Sequence, residues 1–248
     1  MRTAVVAFAI VALTATGASA QTETEHVSRT VRLEPGGTLR LRNFSGHVTI
    51  TGSDQSQVVV DAVRTAPRER LERLKLDVHL EGTTVVVEAN QRDDTWFGAR
   101  NNVVRTDLDV KVPTRTNLDV RVFSSPVEIR GVDGAHNIHG FSSSLRLEDV
   151  AGPVEAHTFS GEVSIRARSW PPNQTIDVDT FSGSIDLRVP ESARGDIRFH
   201  SFSGHLTSEM PLTLRKAGRR SLEGTLGGDS GGGAVNLKTF SGNVKIAR

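Results

Sequence analysis

The stretches His157-Thr158-Phe159-Ser160-Gly161-Glu162-Val163-Ser164-Ile165 and Asp179-Thr180-Phe181-Ser182-Gly183-Ser184-Ile185-Asp186-Leu187 carry one pattern, 22 residues apart. Phe-Ser-Gly or a near copy returns at Phe44-Ser45-Gly46, Phe123-Ser124-Ser125, Phe141-Ser142-Ser143, Phe202-Ser203-Gly204 and Phe240-Ser241-Gly242, so the motif takes seven of the ten phenylalanines. From Phe123 onward the steps are 18, 18, 22, 21 and 38 residues, and reading Leu222-Glu223-Gly224 as a degenerate copy divides the last into 20 and 18. A period near 20 residues marks a solenoid, in which each repeat covers the apolar face of the next.

Working outward from the motif, the residues that follow it alternate with period two: Val48 and Ile50, Val127 and Ile129, Leu145 and Leu147, Val163 and Ile165, Ile185 and Leu187, Val244 and Ile246, with polar residues between. That is a strand with one buried face. Only the Phe202 copy breaks the pattern, with Leu206 followed by Ser208. A second strand precedes each motif, and its inward position three residues before the ring reads Leu41, Val120, Ile138, Ala156, Val178, Phe199 and Leu237. Each rung therefore has two short strands and two corners, one at Ser-Gly and one at a turn such as Val132-Asp133-Gly134 or Val150-Ala151-Gly152. Equivalent strands of successive rungs lie parallel, about 4.8 Å apart.

The predicted fold is all-β, a parallel β-solenoid of two strands per rung. Glycine at Gly46, Gly161, Gly183, Gly204 and Gly242 suits a tight corner that needs positive φ. The rings of Phe44, Phe123, Phe141, Phe159, Phe181, Phe202 and Phe240 should stack from rung to rung. Phe shares its parity with the outward positions, so the expected buried ring requires a kink at the corner; the alternative is an exposed aromatic ladder, a ready surface for a partner.

The N-terminal part, 21–113, is less regular than 114–248 and reads as a cap of one continuous solenoid in 21–248. Leu39, Leu41, Phe44, Val48 and Ile50 make one rung; Pro67 to Leu74 reads as a short helix opened by proline. Leu76-Asp77-Val78-His79-Leu80 and Thr84-Val85-Val86-Val87 flank Glu81-Gly82-Thr83 as a hairpin, and Gln91 to Asn102, with Trp96-Phe97-Gly98, reads as a loop.

Arg2, the apolar run Ala4 to Leu13 and Ala18-Ser19-Ala20 read as a secretory signal peptide over 1–20, so the protein is expected in the periplasm or at the cell surface. Its removal takes one cation from 30 basic and 29 acidic residues, leaving a nearly neutral chain that offers no electrostatic capture of nucleic acid. With no cysteine there is no disulfide, thiolate metal site or lipidated cysteine. No second apolar stretch reaches the ~18 residues of a membrane span.

Together, the export signal, the charged helix and hairpin, the repeated Thr-Phe-Ser-Gly and the closing Arg220-Ser221-Leu222-Glu223-Gly224 and Leu237-Lys238-Thr239-Phe240-Ser241-Gly242-Asn243-Val244-Lys245-Ile246 resemble the exported bacterial β-strand-repeat family of putative adhesins. The resemblance covers roughly residues 30 to 248 and implies a parallel β-solenoid with no catalytic residues to carry over.

Two residues before the ring, the rungs place His139, His157, Asp179 and His200 on one outward line, with Arg121 and Lys238 at its ends. Imidazoles beside a carboxylate suit zinc, copper or a pH-sensitive patch, but a solvated polar row is the expectation, with neither metal nor cofactor. Carboxylates such as Glu128, Glu148 and Asp186 stand on exposed rows, where Glu148 beside Arg166 and Glu128 beside Arg146 suggest cross-rung pairs. Gly227-Gly228-Asp229-Ser230-Gly231-Gly232-Gly233 lacks the Gly-Lys-Ser/Thr ending of a phosphate loop and reads as a turn.

No nucleophile elbow or metalloprotease helix is present. The expected role is a non-enzymatic binding module for a macromolecular envelope or surface partner, glycan or protein; a structural or sensory envelope-stress component is the alternative and a carbohydrate-active enzyme the third choice. Open strand edges at the terminal rungs offer weak self-association.

Overall fold

The computed structural model describes residues 22–92, 103–228 and 232–248. The expected signal peptide, the stretch 93–102 of the expected loop and the middle of the glycine-rich turn lie outside these described residues.

In chain order the elements are β1 (Thr22–Arg32), β2 (Thr38–Ser45), β3 (Val48–Ser53), β4 (Gln57–Pro67), the helix α1 (Arg68–Arg73), β5 (Leu74–Glu81), β6 (Thr84–Arg92) and β7 (Arg105–Pro113). Then come β8 (Asn117–Ser124), β9 (Val127–Arg130), β10 (His136–Ser142), β11 (Leu145–Val150), β12 (Val154–Ser160), β13 (Val163–Ala167), β14 (Gln174–Ser182) and β15 (Ile185–Arg188). The chain closes with β16 (Gly195–Ser203), β17 (Leu206–Ser208), β18 (Leu212–Ala217), β19 (Ser221–Leu226), β20 (Gly233–Ser241) and β21 (Val244–Ala247).

Two sheets result. Sheet A runs β1-β4-β7-β3-β9-β11-β13-β15-β21-β17, and sheet B runs β18-β19-β16-β20-β14-β12-β10-β8-β2-β6-β5. The strands before each motif lie in sheet B and those after it in sheet A. Their inward side chains form one apolar cluster that includes Leu41, Val120, Ile138, Ala156, Val178 and Leu237 from sheet B, and Ile50, Ile129, Leu147, Ile165, Leu187 and Ile246 from sheet A. Burying each of the larger ones contributes roughly 1.5–3 kcal/mol, and in a chain without disulfides this core carries the stability.

Through the middle, successive rungs pair in parallel and in register, as in Ile138 with Ala156 and Leu145 with Val163. The ends depart from chain order. The last rung, β20 and β21, enters between β14–β15 and β16–β17, pairing Asp179 with Lys238 on one side and Lys238 with His200 on the other. At the other end β2–β3 is flanked by β6–β7 on its outer side and β8–β9 on its inner side. The outermost rungs are then covered by antiparallel strands, β5 on β6, β4 and β1 on β7, and β19 and β18 on β16, while β17 stays at the edge of sheet A. Such caps blunt the open edges that a stack of parallel rungs would otherwise present.

Leu222-Glu223-Gly224, read from the sequence as a degenerate motif, belongs to β19, which runs antiparallel to β16. It is part of the cap and builds no rung, because its strand reverses direction after the turn at Gly218.

The corners explain the glycines. A Cβ on Gly183 would lie 2.0 Å from the Gly161 carbonyl oxygen of the neighbouring rung, and the contact repeats for Gly242 on Gly183 and Gly204 on Gly242. Close approach of backbone to backbone therefore selects glycine at these three positions, where the expected reason was positive φ. Gly161 meets both demands, with φ 143° and a Cβ that would lie 2.2 Å from the Ser143 oxygen. Where the corner is serine the rung is tied by hydroxyls: Ser143 Oγ accepts the Ser125 N–H at 3.1 Å and donates to the Phe123 carbonyl at 3.3 Å.

Candidate functional site

The alternation of sheet B carries straight through the motif. Before six of the seven rings the preceding residue points inward, as Asn43, Val122, Thr158, Thr180, Ser201 and Thr239 are buried, and before Phe141 stands Gly140; the ring therefore points out. All seven phenylalanines are 43–49% exposed. The expected kink is absent because the polar residue one step earlier occupies the inward corner: Thr158 Oγ1 donates to the Ser143 carbonyl at 3.3 Å, and Asn43 Nδ2 to the Thr106 carbonyl at 2.9 Å.

These rings make one continuous stack. Their order is Phe44, Phe123, Phe141, Phe159, Phe181, Phe240, Phe202, with centroids 4.7–5.0 Å apart and planes within 6° of parallel. Six such steps give a strip roughly 29 Å long. Each stacked pair adds about 0.5–1.5 kcal/mol beyond its area burial. At the C-terminal end the Arg220 guanidinium carbon sits 4.1 Å from the centroid of Phe202, covering the outer face of that ring with a cation.

Beside the strip, two residues earlier on each strand, runs the polar row. Its spatial order is Arg42, Arg121, His139, His157, Asp179, Lys238, His200. His139 and His157 are neighbours with ring centroids 5.1 Å apart, and Asp179 pairs in register with His157. His200 does not join them, since Lys238 stands between it and Asp179; the sequence had placed Lys238 at the end of the row. Burial, then the neighbouring His157 and Arg121, hold the His139 imidazole below its ordinary value. His157 Nε2 is 3.0 Å from Glu155 Oε1 on its own strand. Among the described residues no group of three or more His, Asp or Glu gathers as metal ligands.

Charges on this face are distributed unevenly. At the N-terminal end Arg42 pairs with Glu88 at 3.4 Å, Arg40 with Asp119 at 3.5 Å and Arg121 with Asp119 at 3.4 Å. At the other end Arg198, Lys238 and Arg220 have no ion pair among the described residues. On the outer face of sheet A, Arg130 pairs with Glu128 on its own strand and with Glu148 of the next rung, and Arg146 reaches Glu148 on its own strand at 3.4 Å, so of these three pairs only Arg130 with Glu148 crosses between rungs; Arg166 has no ion pair among the described residues.

One titratable residue escaped the sequence reading. His136 opens β10 facing inward between Leu118 and Val154 and is 1% exposed; burial pushes its imidazole down to about 4. The signal was its parity with Ile138, two residues on. In the cap, Arg64 is 3% exposed, donates to the Leu74 carbonyl and pairs with Glu25, tying β4 to β5 and β1.

Two facing sheets wound from two-strand rungs, with an aromatic strip along one corner, define a β-solenoid repeat protein. Residues 127–247 match the model of the family described as Toastrack DUF4097. The fold is similar to that of a putative cell adhesion protein from Clostridium sporogenes, at TM-score 0.53 and 13% identity, over 90% of this chain and 99% of that one. A putative adhesin from Bacteroides fragilis aligns at TM-score 0.45 and 11% identity, over 90% of this chain and 97% of that one. At these identities the likeness is one of fold. No curated protein matches the chain. No helix of the described residues is long and apolar enough to cross a membrane.

Proposed function

We propose that this protein is an exported, non-enzymatic, adhesin-like module that binds a macromolecular partner of the cell envelope or surface through the outer face of sheet B. The observation that carries the reading is the row of seven exposed rings, 43–49% accessible, lying beside the polar row from Arg42 to His200. A contiguous exposed apolar patch rimmed by polar residues marks an interaction surface. The adhesion-protein descriptions of the similar structures support the same class of role.

Acid-base catalysis fits less well. Glu81 and Glu209 are held below the ordinary carboxylate value, by a hydrogen bond from His79 and from Lys245 respectively, opposite in direction to the raised acid of a glycosidase. The test is retention of labelled protein on isolated envelopes and on a panel of surface glycans. Changing His139, His157, Asp179 and His200 together to Ser is expected to weaken retention about tenfold, a loss near 1.4 kcal/mol. Absence of retention on both supports overturns the reading.

A further inference from the structure

We propose that the phenylalanine strip is the contact between two copies of this chain, packed ring row against ring row with both solenoids running in the same direction. This rests on the reading of sheet B as a recognition face and names the partner of its apolar part. A fully covered Phe buries about 150–250 Å². Seven rings at 43–49% exposure therefore offer roughly 500–800 Å² in one strip, at or above the largest patch of an ordinary monomer, about 300–600 Å². Two strips facing each other bury roughly 1,000–1,600 Å², which overlaps the size of a specific interface, about 1,200–2,000 Å².

Spacing and ring orientation point the same way. Each interior ring has a neighbour on both faces at 4.7–5.0 Å, so its exposed surface is its edge. A sugar or a nucleobase stacks on a ring face, and those faces are already taken. A second copy brings the same repeat to every ring along the strip, as identical ladders do in a self-complementary, dry interface.

The neighbouring charges choose the arrangement. A two-fold axis along the strands would reverse one polar row over the other and set Arg121 against Lys238, cation against cation, on both sides of the axis. With the axis along the solenoid, each polar row passes beyond the ring strip of the other copy and lies over its uncharged serines, Ser124, Ser142, Ser182 and Ser241. Phe44 then faces Phe44, and Phe202 faces Phe202.

Sedimentation of the purified protein is expected to give twice the monomer mass. The Phe141→Ser, Phe159→Ser, Phe181→Ser triple variant should sediment as a monomer with unchanged circular dichroism. Opposed sheet faces pack about 10 Å apart, within reach of a short bifunctional maleimide, and the chain has no cysteine of its own. Phe44→Cys and Phe202→Cys proteins should each cross-link to themselves, and a mixture should give no 44-to-202 product.

A monomeric wild type, or a folded triple variant that stays dimeric, overturns the proposal; a 44-to-202 product overturns the parallel arrangement. Assaying the same variants for envelope retention separates the two readings. A monomer whose retention falls in the triple variant leaves the binding role standing and removes the dimer, whereas a dimer without retention does the reverse.

Discussion

The four rungs from β8 to β15 lie in chain order, whereas the rungs at both ends do not. In the middle each rung is laid on the one just made, so a step of 18 to 22 residues is also a step of one strand spacing. At the C-terminal end the chain passes over one place, builds β16–β17, reverses through β18 and β19, and only then fills the gap with β20–β21. The N-terminal end does the equivalent with β2–β3 and β6–β7. A periodic sequence thus dictates the shape of a rung and the kind of neighbour it needs, but any rung with the right ladder fits any slot. Slot choice is decided by connections and caps. Its physical result is that the last strand, β21, is paired on both sides instead of fraying at an edge.

The comparison is broken most severely at a central corner. Gly183→Ala places a Cβ 2.0 Å from the backbone carbonyl oxygen of Gly161 at the corner of the neighbouring rung, and should cost at least about 3 kcal/mol in urea denaturation. Gly218→Ala, in the cap, meets nothing nearer than 3.4 Å and should change stability by less than about 0.5 kcal/mol. Equal effects at the two sites would remove the distinction between packed middle and tolerant end.

Next in size is the pH response of the middle. His136 titrates near 4 in the folded chain against 6.5 when exposed, so between these values the unfolded state binds more protons. Its contribution is complete above about pH 6.5 and is lost as pH falls toward 4, by about 3 kcal/mol in all. Denaturation at pH 7.5 and 4.5 should show a loss that is reduced in His136→Leu; an unchanged loss assigns it elsewhere.

In the N-terminal cap, Arg64→Ala leaves the Leu74 carbonyl without its donor and Glu25 without its partner. Because Glu25 is 45% exposed, the cost should be about 2 kcal/mol, below the range for a fully buried pair. Hydrogen exchange should accelerate in β1 and β5 first, with β12 and β14 protected as before. Smallest is Arg130→Ala, which removes an exposed network on sheet A and should cost under about 1 kcal/mol.

Much of this fold is legible in the residues. The alternation after each motif and the inward positions three residues before each ring locate the core side chains, because period two leaves a strand one buried face. The short helix beside Pro67 and the hairpin around Gly82 follow from local turn chemistry. Exposure of the rings was also written there, since Phe159 has the parity of His157; the expectation of burial gave hydrophobicity precedence over parity. The order of the end rungs was not legible, because Lys238 fits beside Asp179 as well as His200 would. His136 was missed because a polar residue at an inward position looks like a strand boundary until the neighbouring strands close over it.

The insertion of the last rung is tested most directly by two pairs of cysteines in this cysteine-free chain. Adjacent parallel strands stand about 4.8 Å apart, within the Cα range of a disulfide, and a second strand spacing lies beyond it. Under mild oxidation, Asp179→Cys with Lys238→Cys should lose both free thiols, while Asp179→Cys with His200→Cys should keep them. A disulfide in the second pair and none in the first would contradict the account and return the rungs to chain order.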